Sequence, residues 1–479
     1  MPIIGREKEV KVLDRLYRSS EAEFLAVYGR RRIGKTFLVH EFFKDKGLYF
    51  EITGSQSAGK LEQLKNFSIV FGNQFGKKPP IPASWTDAFE LLRQTIDKEV
   101  NGRKIILFFD ELPWLASKKS GFLGVLEYYW NHYFSRNPRI ILIVCGSAAS
   151  WMIKKVVRNK GGLHGRLTAE IRLLPFDLAE TEKFLKAQKI ELGRKQLLEL
   201  YMAIGGVAKY LTYVKRGKSS AQNIQEICFE QGAPLAHEFH KLYISLFSNY
   251  TKHISVVETL GKNRSGMTLT ELLAKTGLES GGSSSMILQE LQESGFILYT
   301  HDYKKRKKDG KYRLIDEFSL FYLTWMKDFF SMNNLNKDYW LRIQSQASYN
   351  SWAGYAFEGI CLKFLSKVVH GLGLDIVASN ASGWECLPRS KEDRGAQIDL
   401  VIYRTDRSIN LCEIKFCGEE FVIDKEYAEQ LAYKKSQFRK ITKTKASLFT
   451  TLITPYGSKE NSHYLSCVDY QISMEALFD

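Results

Sequence analysis

A glycine-rich loop between an apolar strand and a helix is the feature that most constrains how this chain folds. The loop, Gly29 to Thr36, has the sequence GRRRIGKT, with FLAVY before it and FLVHEFF after it. In such a loop, backbone N–H groups and the positive end of the helix cradle phosphates, Lys35 reaches the β and γ oxygens, and Thr36 ligates Mg²⁺. The sequence therefore predicts a nucleotide site. The residues predicted to bind the nucleotide are Gly29, Arg30, Arg31, Arg32, Ile33, Gly34, Lys35 and Thr36.

Polar residues at the ends of two later apolar strands complete this predicted site. KIILFFDELPWL ends a strand in Asp110 and Glu111, and RIILIVCGSAAS places Ser147 after the next strand. We expect Asp110 to hold Mg²⁺, Glu111 to orient and deprotonate the attacking water, and Ser147 to sense the γ-phosphate. Arg166 either acts as an arginine finger on a neighbouring subunit's nucleotide or anchors its own loop.

Short apolar runs alternate with helical patterns over the first 175 or so residues, which predicts a parallel sheet with helices on its faces. The expected strands are Phe24 to Tyr28, Gly47 to Ile52, Ile105 to Phe109 and Ile140 to Cys145. The expected helices are Leu61 to Phe71, Trp85 to Lys98 and Phe122 to Phe134.

Charge and cysteine content limit the partners and the compartment. The 479 residues carry a net charge of +16, which predicts a polyanionic partner, either nucleic acid or an acidic membrane surface. Seven scattered cysteines without a CxxC pair indicate a reduced chain without structural zinc. No apolar run approaches the length of a membrane span, so we expect a cytoplasmic protein that binds nucleic acid rather than membrane.

Residues 1–176 resemble the archaeal-style ATPases of the AAA-plus type. The resemblance rests on a GREKE segment (Gly5 to Glu9), the GRRRxGKT loop, strands that end in DE and GS, and a GR motif before an IxLxPF segment. It implies ATP as the nucleotide and places Arg6 near the adenine. A homo-oligomer follows if Arg166 acts in trans. The Gly205-Gly206 pair resembles the family's GGxP turn, but Ala208 stands where proline is usual.

Helical segments followed by two short strands around a basic turn, from about Ser248 to Asp316, are typical of a winged helix. The strands Phe296 to Tyr299 and Tyr312 to Ile315 flank a turn whose tip is Asp309-Gly310. The turn is rich in lysine and arginine, and this density of positive charge predicts contacts with the phosphate backbone of a nucleic acid. A run of charged residues can also be the solvated edge of a hairpin. The predicted contact residues are Lys304, Lys305, Arg306, Lys307 and Lys308.

A set of acidic residues and a lysine near the C-terminus predicts a second chemical site. Glu358 lies on an expected helix, Asp399 on a strand (AQIDLVIY), and Glu413 and Lys415 on another (INLCEIKF). Strand side chains alternate, so Glu413 and Lys415 share a face. Asp399 and Glu413 offer hard oxygen ligands for Mg²⁺, Lys415 can position or activate water, and Glu358 can complete the shell.

This order and spacing resemble the metal-dependent nucleases of the PD-(D/E)XK group, with Gln397-Ile398 where the motif's proline would stand. Archaeal-style ATPases of the kind described above often have such a C-terminal domain. The helix expected at Lys425 to Lys440 resembles the group's DNA-facing helix, and Lys434 and Lys435 are its predicted contacts with nucleic acid. The alternative is a solvated amphipathic helix.

The predicted fold class is therefore α/β: a P-loop NTPase αβα core with a helical lid, a winged-helix domain and a C-terminal restriction-endonuclease-like α/β domain. The expected boundaries are 1–176 for the ATPase core, 177–245 for the lid, 246–316 for the winged helix, 317–350 for a helical connector and 351–479 for the nuclease-like domain.

The leading hypothesis is an ATP- and Mg²⁺-dependent protein that binds nucleic acid, DNA rather than RNA, and cleaves it under the control of ATP turnover. One alternative is a nucleotide-switched DNA-binding or scaffold protein without nuclease activity. Another is a signalling switch that acts on protein partners.

Overall fold

The computed structural model describes residues 2–56, 58–98, 102–117, 119–158, 161–301, 310–331, 338–386, 388 and 395–479. The chain divides into two compact units. The first is Met1–Pro175 with Ile244–Ser248, and the second is Phe176–Tyr243 with Asn249–Asp479. The five-part division expected from the sequence stays a prediction.

A five-stranded parallel sheet in the order β2-β3-β4-β1-β5 forms the centre of the first unit. Its strands are β1 Glu23–Tyr28, β2 Leu48–Thr53, β3 Ile105–Asp110, β4 Ile140–Gly146 and β5 Ala169–Arg172. Every residue of β1, β3 and β4 is buried, as expected for parallel strands that are covered on both faces. The four strands expected from the apolar runs are all present.

Helices precede, connect and follow these strands. They are α1 Glu7–Arg18, α2 Lys35–Phe43, α3 Lys60–Phe75, α4 Trp85–Asp97, α5 Leu112–Leu115, α6 Phe122–His132 and α7 Ala149–Met152. A 3₁₀ turn spans Phe134–Arg136, and a π-helical turn spans Ile153–Val157. Ser84 caps α4, because its side chain accepts a hydrogen bond from the Asp87 backbone N–H. Phe67, Trp85, Phe89 and Phe109 lie in the core between the helices and the sheet.

The second unit begins with a helical segment. Its helices are α8 Leu178–Ala187, α9 Arg194–Ile204, α10 Ala208–Leu211 and α11 Ser220–Ile224, with a π-helical turn at Gln225–Phe229. Helix α12, Glu238–Leu246, begins in the second unit, and its last three residues are counted with the first. Close packing explains why glycine stands at Gly206, the second residue of the Gly205-Gly206 pair before α10. A Cβ on Gly206 would lie 1.9 Å from the carbonyl oxygen of Phe176, so only glycine permits this approach of the two backbones.

Three helices and a small antiparallel sheet follow. The elements are α13 Tyr250–Lys262, β6 Met267–Thr268, α14 Leu269–Thr276, α15 Gly282–Glu293, β7 Ile297–Thr300 and β8 Lys311–Leu314. The strand order is β6-β8-β7. Thr268 and Glu271 form a capping box at the start of α14. The assignment of this segment as a winged helix stays a prediction. We call β7 and β8 the hairpin strands.

More helices lead to a second five-stranded sheet. The helices are α16 Glu317–Phe321, α17 Lys327–Ser331, α18 Tyr339–Ile343, α19 Ala347–Lys363 and α20 Leu365–Gly371, and a π-helical turn spans Tyr322–Met326. The last segment contains β9 Ala378–Cys386, β10 Ala396–Arg404, β11 Ser408–Ile414, α21 Lys425–Thr442, β12 Ser447–Ile453, α22 Ser462–Cys467 and β13 Tyr470–Ile472, then a 3₁₀ turn at Met474–Leu477.

The C-terminal sheet is mixed, with the order β13-β12-β11-β10-β9. Strands β9, β10 and β11 form an antiparallel meander, and β12 and β13 run parallel to β11. Helix α21 connects the parallel strands β11 and β12, and it buries Leu431 and Phe438. The meander and the helix thus place residues of β10, β11 and α21 side by side.

Among the residues that the structure describes, none of the helices combines the length and apolar character needed to cross a bilayer.

Candidate functional site

The glycine-rich loop lies between β1 and α2, as the sequence predicts. Gly29 has a φ of 150°, and a Cβ at this position would lie 2.2 Å from the carbonyl oxygen of Leu173. Arg32 and Gly34 also have positive φ angles, 69° and 93°. These conformations turn the chain from the strand into the first turn of α2, and the first turn of a helix is where backbone N–H groups lack intrahelical acceptors and attract anions.

Lys35 is the first residue of α2, and its side chain is buried. Its Nζ donates hydrogen bonds to the carbonyl oxygen of Arg30 at 2.9 Å and to Oγ of Ser147 at 3.0 Å. Ser147 in turn donates from Oγ to Oε1 of Glu111 at 2.5 Å. The lysine, serine and glutamate predicted from three separate motifs therefore form one hydrogen-bonded chain.

The backbone places Glu111 in an unusual conformation. Its φ is 47°, in the left-handed region, which costs a residue with a side chain about 1 kcal/mol or more. The Ser147 backbone N–H also donates to Oε2 of Glu111 at 3.3 Å. Strain of this kind is held by the surrounding contacts and is concentrated at functional sites.

Thr36 and Asp110 form the part of this site that fits a divalent cation. Thr36 Oγ1 donates a hydrogen bond to Asp110 Oδ2 at 2.7 Å. A hydroxyl and a carboxylate so close together are the hard oxygen ligands that Mg²⁺ prefers, with water and phosphate oxygens as the remaining ligands. Thr36 and Asp110 are thus the residues that would hold Mg²⁺ against a nucleotide.

Arg6 and Arg166, which the sequence also relates to the nucleotide site, lie at different places in the first unit. Arg6 is buried, and its Nη2 donates to the carbonyl oxygen of Ile33 at 3.4 Å, so it touches the glycine-rich loop. Arg166 is exposed. Of the three loop arginines, Arg30 is buried, Arg31 is partly buried and Arg32 is exposed.

The C-terminal constellation begins with Asp399 on β10. The register between β9 and β10 shifts between Ile398 and Val401, so Asp399 lies in a bulge. Bulges re-aim side chains and are common beside active sites. Asp399 Oδ2 accepts a hydrogen bond from the backbone N–H of Ile414 at 3.0 Å, which brings its carboxylate next to Glu413 on β11.

Glu413 is a buried carboxylate with two lysines near it. Lys434 on α21 donates hydrogen bonds to its Oε1 and Oε2 at 2.8 and 2.7 Å, and Lys415 Nζ lies 4.0 Å from Oε2. Burial, followed by the negative charge of Asp399, raises the pKa of Glu413 to about 7, against the opposing effect of Lys434. A second lysine, Lys434, therefore lies beside the predicted pair of Glu413 and Lys415 and bonds to Glu413.

Glu358 on α19 is also buried, and it pairs with Arg313 on β8. Nη1 of Arg313 donates to Oε1 of Glu358 at 2.5 Å. Burial raises the pKa of Glu358, Arg313 opposes this, and the charge of Asp399 adds to the rise. Asp399 thus acts electrostatically on both glutamates, which places the four predicted residues Glu358, Asp399, Glu413 and Lys415 in one neighbourhood.

The carboxylates of the C-terminal site fit a metal ion that takes only a few of its ligands from the protein. Within the described part of the chain, no three His, Cys, Asp or Glu side chains are grouped to hold a metal ion. Mg²⁺ in phosphate-handling sites is often bound by only one or two carboxylates, with water and substrate oxygens as the other ligands. Asp399 and Glu413 supply these two carboxylates.

Comparison with protein families decides the nature of the first site. Residues 3–214 match the model of a family described as an ATPase domain predominantly from Archaea. This segment is an archaeal-type ATPase domain. The match includes all the nucleotide-site residues described above, and the family implies nucleotide binding by this ATPase domain.

Two proteins of Methanocaldococcus jannaschii are similar to this chain, one over most of its length and one over a short segment. The uncharacterized protein MJECL04 is 24% identical over 420 residues, which cover 86% of this chain and 87% of that protein. The uncharacterized ATP-binding protein MJ0423 is 37% identical over 43 residues, 9% of this chain and 73% of that protein.

Among solved structures, the Walker-type ATPase PABY2304 of Pyrococcus abyssi is similar with a TM-score of 0.47 and 16% identity, over 67% of this chain and 96% of that chain. The Aeropyrum pernix ORC2 protein, in its ADPNP–ADP complexes, has a TM-score of 0.46 and 14% identity, over 70% and 96%.

The remaining predicted residues lie outside the ATPase domain. Lys304, Lys305, Arg306, Lys307 and Lys308 lie outside the described residues. Lys434 contacts Glu413 rather than projecting freely from α21, and Lys435 Nζ lies 3.3 Å from Asp469 Oδ2.

Sequence reasoning missed two residues of the C-terminal site. Arg313 lies in the strand expected at Tyr312 to Ile315, where the sequence gives no sign that it pairs with Glu358. Tyr427 on α21 is more than half buried beside the site. Burial and the charges of Glu413 and Asp399 raise its pKa, and its buried hydroxyl has no hydrogen-bond partner among the described residues. Its place in the first turn of the helix after the ExK strand was the available signal.

Proposed function

We propose that this chain is an ATP-hydrolysing protein that binds nucleic acid and cleaves its phosphodiester bonds at the C-terminal site with Mg²⁺. We further propose that it acts as a homo-oligomer in the cytoplasm, on DNA in preference to RNA, with ATP turnover controlling loading or cleavage. The observation that carries the nuclease proposal is the convergence of Asp399, Glu413, Lys415 and Glu358 from two strands and a helix. This combination of carboxylates and a lysine suits phosphodiester hydrolysis.

In the ATPase domain, the side chains have separable tasks. Lys35 would place its charge on the β and γ phosphate oxygens of a bound nucleotide, and Thr36 and Asp110 would hold Mg²⁺. Glu111 then orients and deprotonates the water that attacks the γ-phosphate, and Ser147 reports whether that phosphate is present. Arg166, which is exposed, is available to reach a neighbouring subunit's nucleotide.

In the C-terminal site, Asp399 and Glu413 would bind Mg²⁺, which when bound polarises a phosphate and lowers the pKa of water. Lys415, partly exposed beside Glu413, positions the water and offsets the negative charge that develops on the phosphate. Lys434 donates to both carboxylate oxygens of Glu413, and its charge would also lie close to a phosphate held at that carboxylate.

A second candidate function is a nucleotide-switched DNA-binding or scaffold protein without nuclease activity. The ion pairs at the C-terminal site favour it, because Glu358 is neutralised by Arg313 and Glu413 by Lys434. If those pairs are permanent, the domain is a binding platform and the carboxylates stabilise its fold.

Cleavage assays on the full chain distinguish the two. Linear and circular DNA and RNA are incubated with Mg²⁺ or Mn²⁺, with and without ATP. The variants are Lys35→Ala, Lys415→Ala and, as a matched control, Lys459→Ala, which changes an exposed lysine elsewhere in the second unit. We expect metal-dependent cutting that Lys415→Ala abolishes and Lys459→Ala preserves. Intact substrate under every condition would refute the nuclease proposal. Loss of ATP hydrolysis in Lys35→Ala alone supports the first site.

A further inference from the structure

A cavity of about 300 Å³ lies between the hairpin strands and the edge of the C-terminal sheet. One wall is formed by residues of β7 and β8, and the other by β9, β10 and the helices α19 and α20. Asp399, the predicted metal ligand in the β10 bulge, is one of the lining residues. The cavity and the candidate cleavage site thus share Asp399.

Two ion pairs join the walls of this cavity. Lys311 Nζ lies 2.7 Å from Glu385 Oε1 on β9, and Arg313 pairs with Glu358 on α19. Because these contacts hold the hairpin strands directly against the sheet and the helix, the space between them is far narrower than a double helix. A duplex cannot reach Asp399 through this cavity unless both pairs break.

The lining matches the chemistry of one nucleotide. Tyr299 offers an aromatic ring, and it packs at 4.8 Å, centroid to centroid, on Tyr312. Aromatic rings stack on any base, so such a surface is tolerant of sequence. Lys311 and Arg313 also line the cavity, and they can contact a phosphate there while they remain beside their partners Glu385 and Glu358. A cavity of this volume is at the small end of the range for ligand sites, about 300–1,000 Å³.

The wall that β9 contributes to the cavity includes Ser382. Its side chain is buried in the wall, and its Oγ has no hydrogen-bond partner among the described residues. Gly383, the next residue, is exposed and leaves the cavity open opposite Asp399.

We propose that this cavity holds one unpaired nucleotide, so that the substrate of the C-terminal site is single-stranded nucleic acid. This inference rests on the proposed function for the same site and specifies its substrate class. A strand enters base by base between the hairpin strands and the sheet, with a base on Tyr299 and a phosphate between Arg313 and Asp399. Duplex is a substrate only where a strand is frayed or unpaired.

Binding tests the cavity without relying on cleavage. The background is full-length Lys415→Ala protein, and the probes are fluorescein-labelled single-stranded DNA, the matching RNA and the blunt DNA duplex, measured by fluorescence anisotropy. We expect single strands to bind at least about tenfold more tightly than duplex, and Tyr299→Ala to lose about tenfold in single-strand affinity, as for the loss of one stacked base. Tyr456→Ala, an exposed tyrosine outside the cavity, serves as the control.

A second variant fills the cavity in case Tyr299→Ala weakens the fold. A Cβ on Gly383 meets only the Asp399 carbonyl oxygen at 3.7 Å, so Gly383→Leu fits without a clash at its first side-chain atom and extends into the cavity. We expect it to lower single-strand affinity about tenfold. Ser447→Leu, at an exposed position of β12, should not change it. Unchanged single-strand affinity in both cavity variants, or equal affinity for duplex, would overturn the inference.

Cleavage by the unmodified protein separates this inference from the proposed function. Cutting of single strands and of overhangs, with blunt duplex intact, supports both. Efficient cutting of blunt duplex keeps the nuclease proposal and overturns the single-strand inference. If nothing is cut but single-strand binding is lost in Tyr299→Ala and Gly383→Leu, the nuclease proposal fails and the cavity remains a single-strand site.

Discussion

Arg313 on β8 donates a hydrogen bond from Nη1 to Oε1 of Glu358 on α19, at 2.5 Å. The two side chains are 15% and 9% exposed, so both charges are largely removed from water. The pair links the hairpin strands to the helix that the sequence assigned to the nuclease-like domain. The hairpin strands therefore do more than present positive charge to solvent, because one of their arginines neutralises a carboxylate of the candidate catalytic site.

Replacing Arg313 should destabilise the second unit. Arg313→Ala leaves Glu358 buried without a cation, and breaking a buried ion pair in this way costs about 3–5 kcal/mol. We expect an unfolding free energy lower by about this amount in urea titrations at pH 7. Glu358→Gln in the same chain should recover part of the loss, because it removes the uncompensated charge. Arg18→Ala, which removes an exposed i,i+4 pair with Asp14, is the control and should cost well under 1 kcal/mol.

Much of the first unit could be predicted because its signals are local. Strands β1, β3 and β4 are uninterrupted apolar runs, and the loop before α2 has glycines where the backbone needs positive φ. Strand β5 escaped prediction for a physical reason. Of its four residues only Ile171 is buried, so an edge strand with one inward side chain leaves no apolar run to detect.

The C-terminal site was partly predictable for the same reason. The shared face of Glu413 and Lys415 follows from the alternation of strand side chains, and Asp399 was found from its place in the apolar strand AQIDLVIY. The cations that neutralise the site do not, because Arg313 is 45 residues from Glu358 and Lys434 is 21 residues from Glu413. Such pairs are set by the packing of separate elements, which no short-range pattern encodes.

Glu111 should be required for ATP hydrolysis but not for nucleotide binding. Its carboxylate accepts two hydrogen bonds from Ser147, and Glu111→Gln keeps the shape while removing the base. We expect the rate of ATP hydrolysis to fall about 10²-fold or more, the usual range for loss of a general base, with little change in the affinity for a fluorescent ATP analogue. Glu62→Gln, at an exposed position of α3, should behave as the unmodified protein. Equal loss of binding and turnover would contradict the assignment.

Glu413 should make the metal-free protein less stable at high pH. Its folded-state pKa is about 7, above its ordinary value of 4.5, because burial and Asp399 disfavour the charged form. The stabilising contribution of the neutral carboxyl is therefore complete below about pH 4.5 and is lost as the pH rises through about 7. Thermal unfolding in EDTA between pH 5 and pH 9 measures this. We expect Glu413→Gln to flatten the decline, whereas an unchanged pH profile would contradict the shift.

Gly29 should be irreplaceable in the nucleotide loop, for reasons of backbone geometry and space together. At a φ of 150° an L side chain is strained, and the added Cβ of Gly29→Ala would lie 2.2 Å from the carbonyl oxygen of Leu173. We expect Gly29→Ala to lower the unfolding free energy by about 2 kcal/mol or more and to abolish ATP binding, because the loop must shift away from β5 to admit the methyl group.

Gly59→Ala is the matched control. Gly59 has an ordinary φ of −69°, and a Cβ there has no heavy atom within 4 Å, so stability should change by less than about 1 kcal/mol. Full ATP binding by Gly29→Ala would contradict this expectation, because it would show that the loop accommodates the methyl group despite its contact with Leu173.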